Sequence, residues 1–181
     1  MRTLSKKEGQ VKEVGQHVRY HRYPRQGVIL KGILKWPLII AALVVVLRIV
    51  VERTGGPGWL ANTLSIAVMH TLLAPIYFAV RLGINSGVQR PYAALFKLIL
   101  IFVLSTRAML IPVYWLGRIY EWPESRFYGL FGPEVGPFEG FIGVPFVTAA
   151  IWIVSSLVVG GAIGSALIAF LRSRTNAASS A

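Results

Sequence analysis

The chain contains no cysteine and no aspartate. Without cysteine it has no disulfide, no thiolate nucleophile and no thiolate metal ligand. Without aspartate, its seven acidic side chains are all glutamates: Glu8, Glu13, Glu52, Glu121, Glu124, Glu134 and Glu139. None of them falls deep inside an apolar segment. Intramembrane proton or sodium coupling ordinarily runs through Asp or Glu, and magnesium sites for phosphoryl transfer through Asp, so these chemistries lack their usual groups here. Charge is scarce as well, at 14% of residues against about 25% in soluble domains. No serine-hydrolase, phosphatase, phospholipid-synthase or nucleotide-binding motif occurs, and Gly83-Ile84-Asn85-Ser86-Gly87 reads as a turn.

What fills the 181 residues is apolar side chain, 55% of the total, with a mean hydropathy of +0.61. That is the composition of an all-α integral membrane protein. A hydrocarbon core of about 30 Å takes about 20 apolar residues at 1.5 Å each. Four stretches meet this length, over about residues 32–51, 59–80, 91–117 and 144–171. They predict a four-helix transmembrane bundle over residues 32–171. Residues 1–31 precede it as a basic tail with no cleavable-signal pattern, and residues 172–181 follow as a short tail.

The breakers lie where a hairpin topology needs them. Thr54-Gly55-Gly56-Pro57-Gly58 ends the first span, and Asn85-Ser86-Gly87 turns the second into the third. The connector over residues 118–140 is net acidic and carries Trp122, Phe127, Tyr128, Phe131 and Phe138, which suits either a segment lying on the membrane surface or a cap over the helix ends. Lys and Arg gather in the tails and in the connector from Arg81 to Arg90. The positive-inside rule therefore puts both termini in the cytoplasm, in keeping with a bacterial inner membrane. The net charge of +12 is accounted for by this topology, so nucleic acid is not expected as a partner, whereas anionic lipid is.

Apart from tyrosines and from Lys35, which opens the first span at the membrane surface, four ionisable side chains fall inside the predicted spans: Arg48, His70, Lys97 and Arg107. Arg48 stands four residues before Glu52 and can pair with it. Lys97 and Arg107 either snorkel to an interface or meet an anion: a lipid phosphate, an anionic solute or a carboxylate of another subunit. His70 lies in a row with Thr63 and Tyr77 at sevenfold spacing, either as a neutral hydrogen-bonded core histidine or as a ligand for haem, chlorin or quinone. His17 and His21, at spacing four in the basic tail, make at most a weak metal pair, and no metal site is assigned. Ser156, Gly160 and Gly164 form one row of small residues on the last span, with Gly161 and Ser165 in the next, suited to close helix packing.

No cofactor is assigned, and the chain leans away from catalysis. Cations without intramembrane acids, together with the small-residue rows, point first to a non-catalytic structural or assembly subunit of a membrane complex, with a membrane-protein partner or a second copy. The alternative is a small transporter or an anion- or lipid-binding protein using Arg48, Lys97 and Arg107. A third reading is a His70-based electron-transfer subunit.

Overall fold

A computed structural model describes residues 26–85, 88–122 and 135–179. The basic tail through Arg25, with His17 and His21, lies outside the described residues, as do Phe127, Tyr128 and Phe131 of the acidic connector. Every described element is helical, and four helices are long and apolar enough to cross a membrane.

Helix α1 (Gln26–Arg53) is continuous through Lys35, Trp36 and Pro37. It ends in a Schellman turn: Gly55 takes the left-handed conformation at φ 68°, and the Gly56 amide reaches back to the Val51 carbonyl at 2.8 Å. A six-residue helix, α2 (Gly58–Thr63), follows Pro57. Leu64 and Ser65 then leave the helical conformation, with ψ of 47° and 117°. The second span is therefore shorter at its start than hydropathy indicates.

Helix α3 comprises Ile66–Val68, a wide π-turn at Met69–Leu73 and Ala74–Ile84. The turn relieves the conflict set up by Pro75, which has no N–H for the carbonyl four residues before it. Helix α4 (Pro91–Ile119) starts on a proline, which suits a first helical turn. It ends in a second Schellman turn, with Trp122 N bonded to Gly117 O at 2.9 Å, but here the left-handed position is held by Glu121 at φ 46°.

Helix α5 is continuous through a π-turn at Glu139–Gly143, Val144–Ser155, a second π-turn at Ser156–Gly160 and Gly161–Ser179. It begins earlier than residue 144, because Pro145 interrupts the backbone ladder without ending it. Phe141 has lost its α-helical donor to Pro145, and its carbonyl accepts from Trp115 Nε1 at 2.7 Å instead.

Helices α3 and α4 form an antiparallel hairpin at the centre, α5 packs chiefly on α3, and α1 lies against α4 on the periphery. Leu82, Leu95, Leu98, Ile99, Phe102 and Ile168 make the fully buried core, with Phe78 set edge-on to Phe102 at 5.9 Å. Arg172 Nη2 donates to the Val88 carbonyl at 3.1 Å and ties the far end of α5 to the hairpin connector. At the opposite end Arg118 donates to the Val135 carbonyl, and its guanidinium covers Gly140.

The small-residue row on α5 is used within the chain. A Cβ on Gly160 would stand 2.5 Å from Pro75 Cγ, one on Gly164 2.8 Å from Leu95 Cδ2, and one on Gly161 2.5 Å from the Phe96 ring. Ser156 is fully buried beside them, and Ser165 is half-buried.

Candidate functional site

The polar groups of the interior gather where α1, α3, α4 and α5 meet. At the centre is His70, within the π-turn of α3 and fully enclosed. Arg107 Nη2 donates to His70 Nδ1 at 3.3 Å, so the imidazole proton belongs on Nε2, which lies 2.5 Å from Thr106 Oγ1. Thr106 accepts there and donates its own O–H to the Phe102 carbonyl at 3.0 Å or the Val103 carbonyl at 2.9 Å. The Phe102 ring stands edge-on to the imidazole, with centroids 5.6 Å apart.

This arrangement corrects two expectations for the row of Thr63, His70 and Tyr77. Thr63 belongs to the separate helix α2, is exposed, and donates to its own Trp59 carbonyl at 2.9 Å, because the chain breaks at Leu64-Ser65 before α3 begins. The π-turn then shifts the register after His70, leaving Tyr77 half-buried beside Phe78. For a haem, chlorin or quinone to reach His70, the contacts around the imidazole would have to open. Both ring nitrogens are engaged by side chains of α4, and the fully buried ring leaves no face to a ligand.

Arg107 is 6% exposed and sits about 24 Å along the helix axis from Pro91 and about 18 Å from Ile119. Its guanidinium lies over the Trp152 ring, with Cζ 5.4 Å from the centroid. Among the described residues no carboxylate lies within ion-pair distance of it, and Nε, fully buried, has no hydrogen-bond partner. A buried N–H left without an acceptor costs about 1–3 kcal/mol, and more when the group is charged.

Beside Arg107 is a cavity of about 190 Å³. Arg48, Arg107, Ser65, Tyr114, Thr148 and Trp152 supply its polar wall, and Val45, Ile66 and Leu110 part of the apolar remainder. Arg48 is 8% exposed, and its Nε donates to Glu52 Oε1 at 2.9 Å, the pairing that the spacing of four predicts. Glu52 does not line the cavity. The walls thus hold two guanidinium groups, three hydroxyls and no acid. Two cations facing one space repel each other unless an anion lies between them.

Comparison of the chain with protein-family models, characterised proteins and solved structures finds no match. The site is read from its own chemistry.

Of the three cations expected to meet an anion, Arg48 and Arg107 come together and Lys97 does not. Lys97 is exposed on the second turn of α4, away from the cavity. Thr106, Tyr114, Thr148, Ser65 and Trp152 were not singled out by sequence. Two of them carry a signal in retrospect: Thr106 is a second polar residue directly before Arg107, and Trp152 is a tryptophan in the middle of a span rather than in an interfacial belt.

Proposed function

We propose that this protein is a polytopic membrane protein that binds an anion in the cavity between Arg48 and Arg107. The observation that carries the reading is Arg107 itself. A guanidinium this deep costs from about 2.5 to more than 10 kcal/mol to hold in a bilayer, and such a residue marks a binding or transport site by default. His70 and the Trp152 ring orient Arg107, yet neither supplies a negative charge, and its buried Nε has no hydrogen-bond partner among the described residues, beside a cavity that Arg107 lines. An anion held there takes up both guanidinium groups and offsets that cost. No catalytic step is assigned, because His70, the one imidazole at the site, is tied on both nitrogens.

The assembly-subunit reading has lost one of its two supports, since Gly160, Gly161 and Gly164 are covered within the chain. The even number of candidate spans and the basic connector at Arg81 and Arg90 support placing both termini in the cytoplasm.

The test is ligand-induced thermal stabilisation in nanodiscs of zwitterionic lipid. A ligand at a hundred times its Kd stabilises the folded state by about 2.7 kcal/mol. Wild type is expected to shift with at least one member of a panel of phosphate, carboxylate and anionic lipid, and Arg107→Gln is expected to lose that shift. Equal shifts in the two proteins would overturn the reading, as would no shift with any member of the panel.

A further inference from the structure

The arginine cavity does not stand alone. Thr148 and Trp152 line it on one side, and the same two residues line a groove of about 530 Å³ on the outer side of α5, with Gly143, Val144, Val147 and Ile151 and with Glu139 at the end nearest the start of the helix. Val147 and Ile151 face outward at 60% and 58% exposure. One space carries charge and hydroxyls, the other is nearly all hydrocarbon, and they meet at an indole, a side chain that suits a boundary between apolar and polar surroundings.

The cavity alone falls below the about 300–1,000 Å³ of ordinary small-molecule sites, so it holds a head group rather than a whole ligand. Adding the groove brings the pair into that range. Charge narrows the head group further. Among the described residues Arg48 is paired with Glu52 and no carboxylate pairs with Arg107, so one positive charge is in surplus there, carried by Arg107. One surplus charge matches a singly charged head and not a dianion, which Glu52 would repel.

Depth agrees with a lipid. Helix α4 has 29 residues and runs about 43 Å, longer than the about 30 Å hydrocarbon core, so each of its ends overhangs. Arg48 and Tyr114 are each five residues from the ends of their helices at Arg53 and Ile119, within about 8 Å, and therefore at the edge of the hydrocarbon. The cavity runs from that edge down to Arg107, about 18 Å from Ile119, with Val147 and Ile151 on the adjoining face of α5.

We infer that the ligand is a singly charged lipid, its anionic head admitted sideways from the bilayer past Thr148 and Trp152 and the start of its chain seated along Val144, Val147 and Ile151. This inference rests on the anion reading above and adds the source of the anion. Entry from the bilayer needs no aqueous path to Arg107.

The experiment compares three probes on the full chain in phosphatidylcholine nanodiscs: phosphatidylglycerol, its water-soluble head glycerophosphoglycerol, and inorganic phosphate. Thermal shift and native mass spectrometry report binding. Wild type should retain phosphatidylglycerol in preference to both soluble probes. Val147→Trp, a substitution on an exposed face, should abolish that preference by filling the groove while leaving the shift from glycerophosphoglycerol unchanged. Arg107→Gln should lose the phosphatidylglycerol shift. Phosphatidylglycerol with brominated chains should quench wild type more than Trp152→Phe, which reports the chain beside that indole. If a soluble probe stabilises as well as the lipid and Val147→Trp changes nothing, the lipid inference falls and the anion site stands. If no probe distinguishes wild type from Arg107→Gln, both fall.

Discussion

Gly160 offers a severe test of how α3 and α5 fit together. A methyl group at this position would lie 2.5 Å from Pro75 Cγ, 3.2 Å from Pro75 Cβ and 3.4 Å from the His70 carbonyl. Carbon atoms pack at about 3.5–4.0 Å, so the helices must separate by about 1 Å. The obstacle is a pyrrolidine ring fixed to the backbone and a carbonyl inside a π-turn, neither of which can swing aside. Overpacking of this kind costs about 1–3 kcal/mol, against a gain of about 0.5–1 kcal/mol from replacing a helical glycine. Gly160→Ala should therefore lose on the order of 1 kcal/mol, lowering Tm by about 2–4 °C at this chain length. Two other positions calibrate the experiment. At Gly161 the added methyl meets the Phe96 ring at 2.5 Å, but Phe96 is 42% exposed and can rotate outward, so Gly161→Ala should be near neutral. At Gly32 nothing lies within 4 Å, and Gly32→Ala should raise Tm. The assay is thermal unfolding of the three variants in one detergent. Equal shifts at all three positions, or a rise for Gly160→Ala, would refute the close approach of α5 to Pro75.

Other consequences are as direct. Thr106→Val keeps the side-chain shape but leaves the buried His70 Nε2–H without an acceptor, and should cost about 1–3 kcal/mol in the same melts. Ser156 Oγ is buried with no partner among the described residues, so Ser156→Ala should leave Tm unchanged or raise it, and a clear loss would reveal a missing partner. Glu121 occupies a left-handed position that glycine fills without strain, and Glu121→Gly should gain about 1 kcal/mol if the Schellman turn of α4 forms as described. Because the chain has no native cysteine, Ser173→Cys and Pro137→Cys can be labelled singly in intact cells. An impermeant maleimide should reach position 137 and not position 173 if the termini are cytoplasmic.

Much of the fold follows from features that a single sequence carries locally. Span length, the Gly-Gly-Pro-Gly break, the Arg48–Glu52 spacing and the small-residue row on α5 all depend on neighbours within a few turns. The start of α3 was less readable, because Trp59, Leu60 and Leu64 are apolar enough to extend the span while Ser65 breaks it. The partner of His70 was not readable at all. Lipid tails are as apolar as a leucine core, so the periodicity that tells inside from outside in a soluble helix is faint here. Which residue of α4 faces position 70 depends on the π-turn at Met69–Leu73, a register shift that sequence marks only through Pro75. The same reason hid Thr148 and Trp152, whose direction toward the arginines follows the π-turn before them in α5, at Glu139–Gly143.

The contact between His70 and Arg107 also has an order in time. Synthesis proceeds from the amino end, so α3 exists before α4, and α5 comes last. An arginine at the centre of an inserting helix costs about 2.5–3.5 kcal/mol on the insertion scale, and the many Leu, Ile, Phe and Val residues of α4 each return about 0.3–0.6 kcal/mol. The short connector keeps α3 alongside, so the imidazole that accepts from Arg107 is already made when α4 is completed. The hairpin is then a finished unit before Thr148 and Trp152 have been made. The space beside the arginines comes into being only when the last helix arrives to wall it off, and a truncated chain ending before residue 139 would carry both cations with no enclosure for an anion.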